Sequence, residues 1–278
     1  MPSQAEKAAV FQFLHNLPKP LIIANPWDAG TARMLAALGF EALSTTSGGL
    51  ALTLGRRDGT ASITRDEALA NAKSIVDATH LPVAADLENG YGHAPEAAAE
   101  TIRLAAEAGL VGGSIEDASG DPLHPIYEFE LAVERVAAAA EAAHALPFPF
   151  MFVARAENYL HGRPDLDDTI YRLQAFEKAG AEVLYAPGLT KPEDIKAVCA
   201  AVSKPVNVLA GLKGAPHLSV PELAALGVRR ISLGSALSRV AMTAFVEAAR
   251  ELKAKGTFTF AADTYSSTEL SNFEETSS

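Results

Sequence analysis

The chain has one cysteine in 278 residues, no basic stripe and no long uninterrupted apolar run. The lone Cys199 excludes an internal disulfide and any cysteine-cluster metal site. Its setting, KPEDIKAVCAAVS, puts it on the apolar face of a helix and reads as an inert core thiol. The 23 basic residues are scattered among 34 acidic ones, for a formal charge of −11, which excludes a nucleic-acid surface because phosphate binding needs clustered Lys and Arg. Charge interrupts every apolar run well short of the roughly 20 residues of a bilayer span. The N-terminal MPSQAEKAAVFQFLHNL lacks the basic region and continuous apolar core of a signal peptide. The expectation is a cytoplasmic protein with no membrane partner. The first strand-to-helix turn, NPWDAGTAR, lacks the G-x-G-x-x-G of a dinucleotide-binding sheet.

What is present is hydrophobic residues, at 49%, enough to bury a large core. One unit recurs. Helix-like stretches end in a small residue or leucine plus glycine, and a β-rich run begins, as in AALGFEALSTTS, AEAGLVGGSIED, EKAGAEVLYAPG and AALGVRRISLGS. Gly39, Gly109, Gly180 and Gly227 read as helix C-caps, where a left-handed residue costs least. Eight strand candidates emerge, at 21–26, 42–47, 82–88, 112–117, 150–155, 182–187, 205–210 and 229–234, each followed by a helix-like segment.

Alternating strands and helices imply parallel pairing, and strands covered on both sides read as continuous apolar runs such as LIIAN and FMFVAR. Eight such units in this length predict an α/β fold of the (β/α)₈ TIM-barrel type, one catalytic domain over residues 1–256 with a C-terminal tail at 257–278. Function is then expected at the C-terminal ends of the strands. Those ends carry Asn25, Trp27 and Asp28, then Thr45, Thr46 and Ser47, then Asp86 and Glu88, Glu116 and Asp117, Arg155 and Glu157, Tyr185, Asn207, and Ser232 and Ser235.

Within AADLENGYG, Asp86 and Glu88 are two apart and share a strand face, with Glu116 arriving from the next strand. Three converging carboxylates need a cation. An oxygen-rich set with no His pair at helical spacing favours Mg²⁺ or Mn²⁺ over zinc, held partly through water. Asp117 points the opposite way on its strand. Trp27, Tyr159, Leu189 and Leu212 are expected to set the pocket's size, and Asn207 to contact substrate.

The stretches TTSGGLALTLGRRDG, DLENGYG, GGSIED and VARAENYL, in this order and at these separations, resemble the isocitrate lyase and phosphoenolpyruvate mutase superfamily. The resemblance covers about residues 20 to 256. It implies a barrel whose eighth helix is exchanged between subunits of a homodimer or homotetramer, and a Mg²⁺ ion chelated by a small 2-oxo or 2-hydroxy carboxylate. Position by position, Asp58 in GRRDG, Asp86, Glu88 and Glu116 match acids around the metal. Thr46, Ser47 and Gly48 match the loop that holds the substrate carboxylate, and Arg155 matches an arginine beside the substrate oxygens.

The departures bear on the reaction. The loop after the fourth strand, ASGDPLHPIYEF, has neither the K-[KR]-C-G-H of isocitrate and methylisocitrate lyases nor the K-T-N-S of phosphoenolpyruvate mutases. It carries His124, a group able to exchange protons near neutral pH, and its Gly120, Pro122 and Pro125 suit a lid. The reading is a Mg²⁺-dependent lyase that cleaves a C–C bond through an enolate, with Arg155, Glu116, Asp58 and His124 as catalytic candidates. A P–C bond enzyme and a non-catalytic carboxylate-binding paralogue are the alternatives.

Overall fold

The computed structural model describes residues 1–60 and 62–275. Its eight strands are β1 (Leu21–Ile23), β2 (Leu43–Ser44), β3 (Val83–Asp86), β4 (Gly112–Glu116), β5 (Met151–Arg155), β6 (Val183–Tyr185), β7 (Val206–Leu209) and β8 (Arg230–Ser232). All pair in parallel, in the order β1-β8-β7-β6-β5-β4-β3-β2. A bridge from Ala24 to Leu43 brings β2 back to β1 and closes the (β/α)₈ barrel. Every strand falls inside a segment read from the sequence. The strands are shorter because a barrel strand ends where its backbone leaves the ladder to form the functional loops.

The helices are α1 (Gln4–His15), α2 (Ala29–Ala37), α3 (Ser47–Thr53), α4 (Arg65–Ala78), α5 (Pro95–Glu107), α6 (Phe129–His144), α7 (Leu166–Lys178), α8 (Pro192–Ala201), α9 (Val220–Ala225), α10 (Ala236–Lys255) and α11 (Ser267–Glu275). The four recurrent glycines sit one residue past the helical caps, with φ between 85° and 105°. A Cβ there would be strained by the backbone itself, so the glycine is what lets each helix turn back into a strand.

Two apolar layers follow from strand alternation. Outward residues such as Phe152, Leu184 and Ile231 pack under the surrounding helices. Inward ones, including Leu21, Ile23, Ala84, Met151 and Val183, meet Ala8, Phe11 and Leu14 of α1, which plugs the lower end. Cys199 is half-buried, and burial pushes its thiol up to about 11, in keeping with an inert role.

The eighth helix, α10, behaves differently from the other seven. Of its 20 residues only Ser238 is buried, while Val240 and Phe245 are 68% and 70% exposed. Beyond it, α11 packs on α2, and the last three residues of the expected tail lie outside the described residues. Among the described residues no helix is long and apolar enough to cross a membrane.

Candidate active site

Arg155 ends β5 with its side chain in the barrel mouth, where carboxylates surround it. Its Nη1 lies 2.9 Å from Asp86 Oδ1, and its Nη2 3.1 Å from Glu116 Oε2 and 2.7 Å from Glu157 Oε1. Although burial opposes its charge, Glu157, Glu116 and Asp86 hold the guanidinium well above its ordinary pKa. Burial raises Glu116 well above the usual carboxylate range despite Arg155, and burial likewise raises Glu157. Glu116 and Glu157 share one guanidinium out of water, so ionising both together is costly.

The other oxygen of Asp86 accepts from the Ser47 hydroxyl at 2.8 Å and the Ser47 N–H at 3.2 Å. Its own N–H donates to Thr45 Oγ1 at 3.1 Å. Thr46 caps α3 by accepting from the Gly49 N–H. A Cβ on Gly48 would meet Asp58 Oδ2 at 2.7 Å, so the glycine is what admits the Asp58 carboxyl to the mouth. Burial, then the charge of Asp86, raises the Asp58 pKa.

Thr46, Ser47, Gly48, Asp58, Asp86, Arg155 and Asn207 line one cavity of about 160 Å³. Glu116 stands behind Arg155. Glu88 is turned aside, because β3 ends at Asp86 and Glu88 adopts φ 46°, so strand alternation no longer applies. Asp86 and Glu116 meet on Arg155, while Glu88 forms no ion pair with Arg155 but shares a small cavity with Asp86 and Ser47 and also faces an adjoining cavity of about 640 Å³. Burial, followed by the charges of Asp86 and Asp58, lifts Glu88 to about 7.

Among the described residues no three Asp, Glu, His or Cys side chains form a direct metal cage. The donor chemistry nonetheless fits a hard cation. Asp58, Asp86, Glu88 and Glu116 repel one another, and Mg²⁺ is usually held by one or two carboxylates with its waters reaching the rest.

Several expected residues lie apart from the cavity: Tyr159 is not in its lining, Leu189 and Leu212 line a separate cavity of about 120 Å³, and His124 and Trp27 also lie elsewhere. The His124 side chain is 78% exposed and rests 3.2 Å from Asp121. Trp27 packs its Cβ toward Gly49 and does not line the cavity. The loop that bears His124 is pinned at its base by a bridge between Ala118 and Ile126. Asp117 does point outward, where Arg172 pairs with it at 3.1 Å.

Sequence reading missed Arg135 and Arg230. Arg135, on α6, donates to the carbonyls of Asn89, Gly92, His93 and Ala94 and lies 4.5 Å over the Tyr127 ring. It thereby holds a loop in which Glu88 and Tyr91 both have positive φ, a conformation that costs about 1–3 kcal/mol per non-glycine residue. Arg230 lines the cavity floor. Counting back two from Ser232 along the same strand face would have put it there.

A closed parallel barrel with its titratable residues gathered at the C-terminal face defines the class of (β/α)₈ enzymes, whose sites lie at that face. Comparison narrows this to a family. The phosphoenolpyruvate phosphomutase family model matches residues 11–253, and the chain belongs to the isocitrate lyase and phosphoenolpyruvate mutase superfamily. A Burkholderia cenocepacia J2315 structure provisionally called a lyase/mutase is 57% identical, with a TM-score of 0.94 over 97% of this chain and 96% of that one. The 2-methylisocitrate lyase of Escherichia coli K12 is 30% identical over 74% of this chain and 68% of its own. Oxaloacetate decarboxylase 2 of Pseudomonas fluorescens Pf0-1 is 29% identical over 82% and 78%. These two named relatives are carbon–carbon lyases of small carboxylates.

Proposed function

We propose that this protein is a Mg²⁺- or Mn²⁺-dependent lyase that cleaves a C–C bond of a small 2-oxo or 2-hydroxy carboxylate, by decarboxylation or by retro-aldol cleavage. The observation that carries this reading is the half-buried Arg155–Asp86–Glu116 group beside Ser47 and Gly48 in a cavity of about 160 Å³. That volume is below the roughly 300–1,000 Å³ of pockets for drug-sized ligands, so the acid is small.

Thr46, Ser47 and Gly48 form the loop that would hold one carboxylate of the substrate, with Ser47, which donates to Asp86 in the ligand-free chain, turning its hydroxyl to the ligand. Asp86, Asp58, Glu88 and Glu116 are the residues that would hold the cation, some of them through water. A bound divalent ion supplies Lewis acidity at the 2-oxo group. Arg155 faces the oxygen on which negative charge grows as the C–C bond breaks, and its carboxylate partners fix it in place before reaction. Decarboxylation needs the least further machinery, which suits a lid loop with no cysteine acid. The family's mutase name favours a second reading, P–C bond chemistry, although residues 118–129 contain no lysine to meet a phosphoryl group.

A panel of 2-oxo and 2-hydroxy di- and tricarboxylates plus phosphonopyruvate, assayed with Mg²⁺, separates these. Pyruvate or glyoxylate release supports the lyase, and phosphate release alone replaces it with the P–C enzyme.

The exposed apolar face of α10 supports a swapped eighth helix, in which a second copy covers Val240 and Phe245. We place the working form as a cytoplasmic homodimer or homotetramer of one catalytic barrel, residues 1–256, with 257–278 as an appendage. Phe245→Glu should shift the protein to a monomer in sedimentation, and an unchanged oligomer would remove the swap.

A further inference from the structure

The cavity between Asp58, Asp86 and Arg155 continues downward to a floor of opposite character. Tyr185 on β6, Asn207 on β7 and Arg230 on β8 form it. Asn207 and Arg230 are ladder partners, and Arg230 shares the inner face of β8 with Ser232. They are 3% and 5% exposed. Neither is satisfied, since Asn207 Oδ1 and Arg230 Nε are buried without a hydrogen-bond partner.

Among the described residues no carboxylate forms an ion pair with Arg230. Its contacts are His15 Nε2 at 3.5 Å and the Phe11 ring at 5.9 Å. His15 offers no counter-charge, because its Nδ1 is bonded to the Phe11 carbonyl at 2.8 Å and burial keeps the ring neutral. A cation taken out of water without a counter-ion costs several kcal/mol, and within the described residues only the long His15 contact and the Phe11 ring oppose that cost. The same cavity thus has an acidic, cation-seeking end and a cationic, anion-seeking end.

We propose that Arg230, with Asn207 and Tyr185, receives the far carboxylate of a short dicarboxylate whose other end lies at Asp86, Ser47 and Arg155. The inference rests on the lyase reading and narrows its substrate class to acids charged at both ends. Arg230 presents its guanidinium fork to the carboxylate. If the Asn207 amide is flipped, Nδ2 donates to the ligand while Oδ1 accepts from the Ser232 hydroxyl, so the unpaired corner is used.

The test compares Mg²⁺-dependent binding of malate, whose carboxylates are two carbons apart, with that of oxalate, a dicarboxylate whose directly joined carboxylates are too short to reach from the upper end to the floor. Arg230→Met should weaken malate about 10–100-fold while leaving oxalate within about twofold. The ligand-free variant should melt no lower than the parent, since an unpaired buried charge is removed. Arg230→Lys, which keeps the charge and loses the fork, should fall between the two. Unchanged malate affinity, equal losses for malate and oxalate, a parent that binds no dicarboxylate, or a large fall in melting temperature in both variants would each overturn the proposal. So would chloride raising the melting temperature of the parent alone with malate binding unaltered, which marks an inorganic-anion site. Arg230-dependent malate binding without any C–C cleavage upholds this site and defeats the lyase reading. Cleavage of monocarboxylates at unchanged KM in Arg230→Met does the reverse.

Discussion

Two arginines lie inside this barrel in opposite surroundings. Arg155 at the mouth touches three carboxylates, Asp86, Glu116 and Glu157, all within 3.1 Å. Arg230 on the floor meets a neutral imidazole and an aromatic ring, and burial lowers it to about 10. The difference separates two uses of a buried charge. Arg155 is held in place by the fold and belongs to a cluster with surplus negative charge, so that end calls for a cation. Arg230 has its desolvation uncompensated, so the floor calls for an anion.

The comparison breaks most visibly at the mouth. Asp86→Ala should lower Mg²⁺-dependent turnover by about 10³-fold while circular dichroism shows an intact barrel, because Asp86 serves the site and not the packed layers. A variant that binds Mg²⁺ and turns over like the parent would make the acid cluster structural.

Next in size is a stability contrast between the two arginines. Arg155→Met leaves the buried Glu157 and the half-buried Glu116 without their cation and should cost about 3–5 kcal/mol in urea unfolding. Arg230→Met removes an unpaired charge and should cost nothing or stabilise the chain. Equal losses at both positions would erase the distinction drawn between mouth and floor.

The floor also has a pH signature. His15 is held neutral, its pKa lowered from 6.5 to about 3 by burial first and the charge of Arg230 second. Between those values the unfolded chain binds the extra proton, so stability rises with pH there. The contribution is fully present above about 6.5 and is lost as pH falls toward 3, at up to about 1.4 kcal/mol per pH unit. His15→Gln should flatten that acid limb in thermal melts at pH 4 to 6. An unaltered limb would mean that His15 is not the group responsible.

The smallest effect belongs to a residue outside both regions. With its side chain 78% exposed, His124 stands apart from the acids, and His124→Ala should leave kcat within about threefold of the parent. A loss of about 10² or more would show that the loop carries His124 inward as a proton donor.

Much of the molecule could be read in advance because its signals are local. Strand positions, helix ends at Gly39, Gly109, Gly180 and Gly227, and the grouping of Asp86, Glu116 and Arg155 at the mouth follow from period, turn chemistry and the rule that strand ends carry function. Glu88 lies beside Asp86 in a shared small cavity but off the Arg155 cluster, because β3 stops at Asp86 and strand alternation does not extend two residues further. His124 looked catalytic from its residue type, and only the path of its loop leaves it in solvent.

Residue order along the chain determined the repeating strand–helix unit and the supply of acids at the strand ends, since each depends on near neighbours in sequence. The tertiary structure alone decided which charges meet. Ladder registers set Glu116 against Arg155 and Asn207 against Arg230, and α1 brings His15 beneath Arg230 from 215 residues away. An ion pair or an unpaired charge is a property of distance and of exclusion from water, and both arise only when separate segments close around the same interior.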